Sequence, residues 1–326
     1  MKTIVLFNLK GGVGKSSTVA TVSHMLATIH KKRVLLVDID PQGNSSCIFS
    51  EIDYFSLLSG KTDQKKSIQD MLLNPELDPR ECIYSTNFDR LDVIPAYLTL
   101  AEAEETIKAD KVIPQQFKLK NQLDKISSEY DYCLIDCSPS LSILNINALV
   151  SADEVYIPMG VDAGSIMGAR SVLNLVKMVK TYHPRLKVAG AFFTRYQENK
   201  EVSKQAITIF DAIMKDITLI PITIRNNKMV EESSWVQQPL LELDPKAKGT
   251  ATADYIFLTE YMLMIEKTDV ISKYEKYCKA EKDLNKLRSL RNRKNKGLTI
   301  NEKDLKALEK EYKNKTLTDY IDLEEM

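Results

Sequence analysis

The chain has 326 residues, 44% of them hydrophobic and 28% charged, a globular composition that excludes intrinsic disorder and allows one large or two modest domains. Its 45 basic and 45 acidic residues cancel, so no overall field marks a nucleic-acid binder, and any such surface has to be local. The five cysteines, Cys47, Cys82, Cys133, Cys137 and Cys278, are too scattered for a disulfide framework. No signal-peptide run or stretch of about 18 apolar residues occurs, so a cytoplasmic chain with no membrane partner is expected.

The apolar run Thr3–Leu9 predicts a strand that ends at glycines. A helical pattern follows over Lys15–Ile29, then a second strand at Arg33–Asp38, which together make a right-handed βαβ unit. Phe49–Arg90 reads as a loop-rich excursion with a short helix near Ile68–Leu73. Further strands are expected at Leu91–Ile94, Tyr132–Ile135, Glu154–Pro158, Lys187–Phe193 and Leu219–Ile220. Helices are expected at Leu119–Ser128, Ile166–Tyr182 and Thr252–Ile265. Strands that are apolar throughout are buried on both faces, so the expected fold is α/β: a doubly wound, mostly parallel sheet with helices on both sides. Residues 266–326 are rich in charge, lack proline and hold one glycine, Gly297. They predict a C-terminal helical extension of two helices broken around Lys296–Asn301.

The stretch Lys10-Gly11-Gly12-Val13-Gly14-Lys15-Ser16-Ser17 lies between the first strand and the first helix. A nucleotide phosphate chain needs inward-facing backbone N–H groups, a helix N-terminus behind them and glycines that let the backbone approach. Residues Gly11 to Ser17 supply these, with Lys15 set to reach the β- and γ-phosphates and the Ser16 hydroxyl to ligate Mg²⁺. The bland alternative is a glycine-rich turn with an incidental lysine. The first glycine of the general phosphate-loop pattern is missing, because position 9 is leucine, and a second lysine, Lys10, opens the loop.

This K-G-G-V-G-K-S pattern resembles the deviant Walker A motif of the ParA/MinD superfamily of P-loop NTPases. Arg33–Asn44, with its Asp38-Ile39-Asp40-Pro41-Gln42-Gly43-Asn44 segment, resembles the family's second motif and points to the ParA branch. Tyr130–Ser140 resembles the Walker B strand with its following D-x-x-P. Ile220-Pro221, Arg225 and Pro239–Gly249 resemble the C-terminal signature. The likeness covers about residues 1–265, read as the nucleotide-binding ATPase domain; residues 266–326 form a charged helical tail outside it.

The resemblance implies a homodimer closed around ATP and Mg²⁺. Lys15 is the phosphate lysine, and Lys10 crosses to the partner's nucleotide. Asp40 orients the attacking water, Asp38 lies near the magnesium and its waters, and Asp136 holds the metal through water. Arg225 falls in a segment near the base or, in some members, near DNA. Lone strand-end aspartates are more often caps or turn formers, but here three face one phosphate loop. Thr194-Arg195-Tyr196 reads either as a base-flanking loop or as ordinary surface. Cys133 and Cys137 read as core packing rather than cluster ligands, and His24, His30 and His183 show no catalytic or metal arrangement.

The function implied is an ATPase switch for DNA partition. It binds DNA nonspecifically in the ATP state, is nucleoid-associated in that state and is stimulated by a ParB-like partner. Two alternatives are a related ATPase positioning non-DNA cargo and a nucleotide-switched binding module with little hydrolysis. The basic run Lys286, Arg288, Arg291, Arg293, Lys294, Lys296 in the tail contains no acid. It reads as a solvated or coiled-coil arm, a DNA contact, or a partner dock.

Overall fold

Seven strands form one sheet: β1 (Lys2–Leu6), β2 (Val34–Asp38), β3 (Tyr84–Ser85), β4 (Leu91–Ile94), β5 (Tyr132–Asp136), β6 (Glu154–Met159) and β7 (Lys187–Phe193). Their order is β3-β4-β2-β5-β1-β6-β7, parallel except for the short β3, which pairs antiparallel with β4. The computed structural model describes residues 1–50, 66–110, 114–263 and 267–321. The expected boundary at 265/266, the end of the helix expected to reach Ile265, part of the Phe49–Arg90 excursion and the last five residues lie outside the described residues.

Side chains alternate across the strands, and each face meets its own core. Val5, Phe7, Leu35, Val37, Ile135 and Val155 pack on one side, Ile4, Leu6, Leu36, Leu134 and Tyr156 on the other. This two-sided burial is the reason the strands read as unbroken apolar runs. The helices in chain order are α1 (Lys15–Thr28), α2 (Asn44–Phe49), α3 (Ile68–Leu73), α4 (Leu100–Ala109), α5 (Lys118–Asp124), α6 (Ile143–Ser151) and α7 (Ala163–Val179). They continue with α8 (Glu201–Ile213), α9 (Lys228–Trp235), α10 (Leu240–Leu243), α11 (Thr250–Leu263), α12 (Lys267–Asn295) and α13 (Glu302–Glu311). Because β5 lies between β2 and β1, the loops leaving all three strands open on one stretch of the sheet's carboxyl edge.

The expected strand at Leu219–Ile220 does not form. Leu219 makes one parallel bridge to Ala191, and Ile220 donates its N–H to the Ala191 carbonyl at 2.7 Å. Pro221 follows and has no N–H with which to extend the ladder. The helix expected over Leu119–Ser128 ends at Asp124 and continues as turns.

The C-terminal extension is docked over part of its length. Val270, Tyr274 and Tyr277 are buried in the same core as α1 and α11, and both tyrosine rings meet Phe257 of α11 edge-on or tilted, with centroids 5.3 and 5.5 Å away. Farther along, α12 and α13 form a hairpin around a small core of Ala280, Leu287, Leu305, Leu308 and Tyr312. The break falls where the sequence placed it. Gly297 turns left-handed (φ +69°), its N–H reaches the Lys294 carbonyl and that of Leu298 reaches Arg293, a Schellman stop. Asn301 then caps α13.

Tyr277→Ala leaves a cavity in the core shared with the sheet. It should lower stability by about 3 kcal/mol and the melting temperature by roughly 5–10 °C, whereas Tyr312→Ala, confined to the hairpin, should leave the main thermal transition in place. Differential scanning calorimetry distinguishes the two.

Candidate active site

The loop after β1 carries two left-handed glycines, Gly12 (φ +73°) and Gly14 (φ +76°). A Cβ at either would meet open space or ordinary contacts, so conformation, not room, calls for glycine there. The turn brings Lys15 to the first position of α1, with the Thr18 N–H closing on the Gly14 carbonyl at 2.9 Å. Thr194, just past β7, fastens the loop by donating to the Val13 carbonyl at 3.0 Å. The side chain of α1's Thr18 meets Tyr255 of α11 at 3.1 Å.

The two lysines of the loop have opposite environments. Lys15 is 6% exposed and its Nζ donates to the Lys10 carbonyl at 3.3 Å, while Lys10 itself is exposed. Burial lowers the Lys15 pKa, and Asp136, Cys137 and Asp40 pull it back up.

Facing Lys15 are the strand-end carboxylates. Register pairs Asp38 with Asp136 across β2 and β5, and both are fully buried. Burial pushes the Asp136 carboxyl up to about 6, against hydrogen bonds from Ser45 and Ser16. Ser45 Oγ donates to its Oδ2 at 2.5 Å, but its Oδ1 is buried and meets no partner at hydrogen-bonding geometry. The Asp38 carboxyl is raised as well, by burial first and by Asp136 second. Both of its oxygens are engaged: Oδ1 accepts from the Asp40 N–H (3.0 Å), Oδ2 from the Ser46 N–H (2.9 Å) and hydroxyl (2.8 Å). Asp40 reaches the cleft wall, 6% exposed. Its pKa is raised by burial and opposed by the Gln42 N–H and by Lys15.

The cleft has two joined lobes. One of about 340 Å³ is lined by Gly11, Gly12, Lys15, Ser16, Asp40 and Pro139, among others. The other, of about 420 Å³, lies over Thr194, Ile224, Arg225, Asn226, Asn227, Trp235 and Tyr255. Gly14, Ser17, Arg195 and Ser234 border both lobes. Thr194 and Arg195 thus flank the larger lobe, as their position after β7 allowed. Arg225 stands at its wall, but its guanidinium is held by Asp254 (Nη2 to Oδ1, 2.7 Å) and by Glu281 of α12. It also lies over the Tyr277 ring at 5.7 Å. Val13 is buried.

The site contains residues that the sequence reading passed over. Ser45 and Ser46 carry the hydrogen bonds that hold Asp136 and Asp38. A small-polar pair opening a helix immediately after the aspartate loop was the available signal. Asn226, Asn227 and Trp235 give no motif and enter only through folding.

An oxygen-rich pocket with a partnerless carboxylate oxygen and a neighbouring serine hydroxyl fits magnesium. That ion keeps several waters and binds through one or two carboxylates plus phosphates rather than an all-protein cage. No cluster of three His, Cys, Asp or Glu side chains able to hold a metal occurs among the described residues. Among them, too, no helix is long and apolar enough to cross a membrane.

A family model described as an AAA domain matches residues 1–188. The chain is 34% identical to the sporulation initiation inhibitor protein Soj of Bacillus subtilis, over 76% of this chain and 93% of Soj. It is 30% identical to the chromosome partitioning protein ParA of Caulobacter vibrioides, over 77% and 90%. The chain belongs to the ParA/Soj family of P-loop ATPases. Among solved structures it is similar to cobyrinic acid a,c-diamide synthase from Mycobacterium smegmatis with bound ADP and magnesium, at 26% identity and a TM-score of 0.65, over 81% and 94% of the two chains. Membership in the ParA/Soj family agrees with the fold, the doubled lysine and the position of the aspartates.

Burial pushes the Asp136 carboxyl up to about 6 in the fold, from an ordinary value of 3.8. The folded state therefore binds this proton more tightly, and the carboxyl's contribution to stability falls as pH rises from about 4 to about 6. Asp136→Asn should accordingly be more stable than the parent at pH 7.5 without nucleotide, by on the order of 2–3 kcal/mol. The difference should vanish below about pH 4. Urea unfolding across that pH range measures it.

Proposed function

We propose that this chain is the ATP-driven switch of a DNA-partition system: two copies close around two magnesium-bound ATP molecules, bind DNA nonspecifically in that state, and release it on hydrolysis stimulated by a ParB-like partner. Residues 1–265 are the ATPase domain in this reading, and residues 266–326 are its charged helical tail. The observation that carries it is the division of labour on one loop, with Lys15 buried against the carboxylates and Lys10 exposed at the rim. A lysine that served only its own subunit's phosphates would sit inside, as Lys15 does. Exposed apolar side chains stand on the elements beside Lys10: Leu141, 70% exposed, follows Pro139, and Met167, 55% exposed, lies on α7. They suit closure against a second copy.

Within each subunit, backbone N–H groups from Gly11 to Ser17 and the Lys15 ammonium bind the triphosphate, as a helix N-terminus does for anions. Ser16 and Asp136 hold the magnesium, with Asp38 behind them fixing the Asp40 and Ser46 backbones. The metal supplies neutralisation of the charge that builds on the phosphoryl oxygens. Asp40 orients the attacking water, and a carboxyl raised by burial makes it a better proton acceptor at neutral pH. Arg225 shapes the base lobe from behind its two carboxylates. Lys10 from the second copy neutralises phosphate charge that would otherwise hold the subunits apart.

The DNA reading does not rest on the basic run of the tail. Lys286, Arg291 and Lys294 pair with Asp304, Glu309 and Glu302 of α13, and Arg293 donates to the Thr299 carbonyl.

Lys10→Ala should bind ATP as the parent does, yet fail to dimerise in sedimentation runs, and Asp40→Ala should form the ATP dimer without turnover. DNA retention measured with ATP, ADP and no nucleotide across a salt series tests the whole reading. Binding confined to ATP and falling linearly in log–log with salt is expected; equal retention in all three states overturns it.

A further inference from the structure

We propose that Asn8 and Gly168 are positioning residues that aim Lys10 out of the loop toward a second subunit. The inference rests on the reading of Lys10 just given. Asn8 is completely buried between β1 and the loop. Its amide nitrogen donates to the Pro158 carbonyl of β6 at 2.8 Å and to the Ser165 carbonyl in the first turn of α7 at 3.1 Å. Its Oδ1 accepts the Lys10 N–H at 2.9 Å. Both amide hydrogens and one lone pair of this side chain are thereby used. The start of the phosphate loop is fixed to the β6–α7 junction at the residue whose direction matters.

The face of α7 that receives it is built from glycine. A Cβ at Gly168 would fall 2.3 Å from Asn8 Oδ1 and 3.2 Å from the Lys10 backbone nitrogen. Asn8 is enclosed and held by three hydrogen bonds, so the added methyl strains the Asn8–Lys10 contact and displaces the Lys10 turn. One helical turn earlier, a Cβ at Gly164 would lie 3.9 Å from both Cδ and Cε of Lys10, so the lysine stem runs over bare helix backbone. Asp162, the N-cap of α7, closes this bed. Its carboxylate accepts from the Ser165 N–H (3.0 Å) and hydroxyl (2.6 Å). Burial pushes the Asp162 pKa up, but those bonds and the nearby charge of Lys10 hold it below its ordinary value.

Lys15 is placed by different means, at the head of α1 among Asp136 and Asp40, and its side chain meets the Lys10 turn through a hydrogen bond to the Lys10 carbonyl at 3.3 Å. Shifting Lys10 should therefore separate nucleotide binding from dimerisation, which general loosening of the fold would not do.

The test compares full-length parent, Lys10→Ala, Gly168→Ala, Asn8→Ser and the Asn8→Ser/Gly168→Ala double variant. ADP affinity is read on the monomer, and the dimer dissociation constant is read by sedimentation with a non-hydrolysable ATP analogue. For Gly168→Ala and for Asn8→Ser we expect ADP affinity within about threefold of the parent and a dimer constant weakened at least about tenfold. The double variant should be no worse than Asn8→Ser alone, because the serine removes the atom that the new methyl strikes. If Gly168→Ala does not fold, Asn8→Ser carries the test. Parent-like dimerisation of either single variant, while Lys10→Ala stays monomeric, overturns this inference and leaves the reading of Lys10 standing. Parallel loss of ADP affinity and dimerisation assigns the pair to general packing and overturns it too. Dimerisation by Lys10→Ala itself removes the reading on which the inference rests.

Discussion

Parallel pairing of β2 with β5 in a register that sets Asp38 beside Asp136 places two fully buried carboxyl groups side by side, with Asp40, two residues on, lining the cleft. Two carboxyls so placed disfavour each other's ionisation, and burial with the neighbouring Asp136 raises the Asp38 pKa accordingly. The surrounding structure answers that repulsion. Ser46 and the Asp40 N–H satisfy Asp38, Ser45 satisfies one oxygen of Asp136, and Lys15 contributes a cation whose own pKa has fallen through burial. What is left over is one buried oxygen of Asp136 that meets no partner at hydrogen-bonding geometry, with the Ser16 hydroxyl close by. A buried acceptor left so costs about 1–3 kcal/mol.

The same cleft is tied to the far end of the chain. Arg225 sits in the wall of the larger lobe, and its guanidinium joins Asp254 on α11 to Glu281 on α12. Tyr274 adds hydrogen bonds to Asp254 and to the Thr223 carbonyl, and Lys282 reaches Glu198 in the loop after Tyr196 at 2.5 Å. These partners are largely buried at Arg225 and exposed at Lys282. The first group resists opening, because removing one partner leaves an unpaired buried charge. The second is an exposed pair worth under about 1 kcal/mol. The first half of α12 therefore belongs mechanically to the nucleotide site, while the hairpin beyond it is held by a small core and by exposed pairs between α12 and α13.

Most of the sheet was legible because each strand is covered on both faces and so appears as an unbroken apolar run. The phosphate loop was legible because glycine and lysine at that spacing between a strand and a helix leave few other roles. The expected strand at Leu219–Ile220 failed on a visible signal, since Pro221 ends the ladder. Asp38 was placed near the metal by likeness, but the engagement of both its oxygens depends on Ser46 and on the Asp40 turn, which motif spacing does not report. The Arg225–Glu281 contact joins residues 56 apart in the chain, and no local pattern announces it. By contrast, the burial of α12 was there to be read. Val270, Tyr274 and Tyr277 stand at i, i+4 and i+7, an apolar stripe obscured by the charge density around it.

One loop carrying two lysines of opposite fate is the feature that gives the fold its logic. The loop starts at β1, where Asn8 is bolted to neighbouring β6, and ends at α1, so its two ends belong to different parts of the molecule. Lys15 rides on the helix and faces inward, while Lys10 rides on the strand side and faces out over the glycine face of α7. The smaller lobe is lined by Lys15 and Arg195 together with Asp40, with Asp38 and Asp136 buried behind it, while Lys10 stays exposed. In the switch proposed above, Lys10 is the cation that one copy offers to the other, so closure would follow the negative charge on the nucleotide and would need no large rearrangement of the sheet.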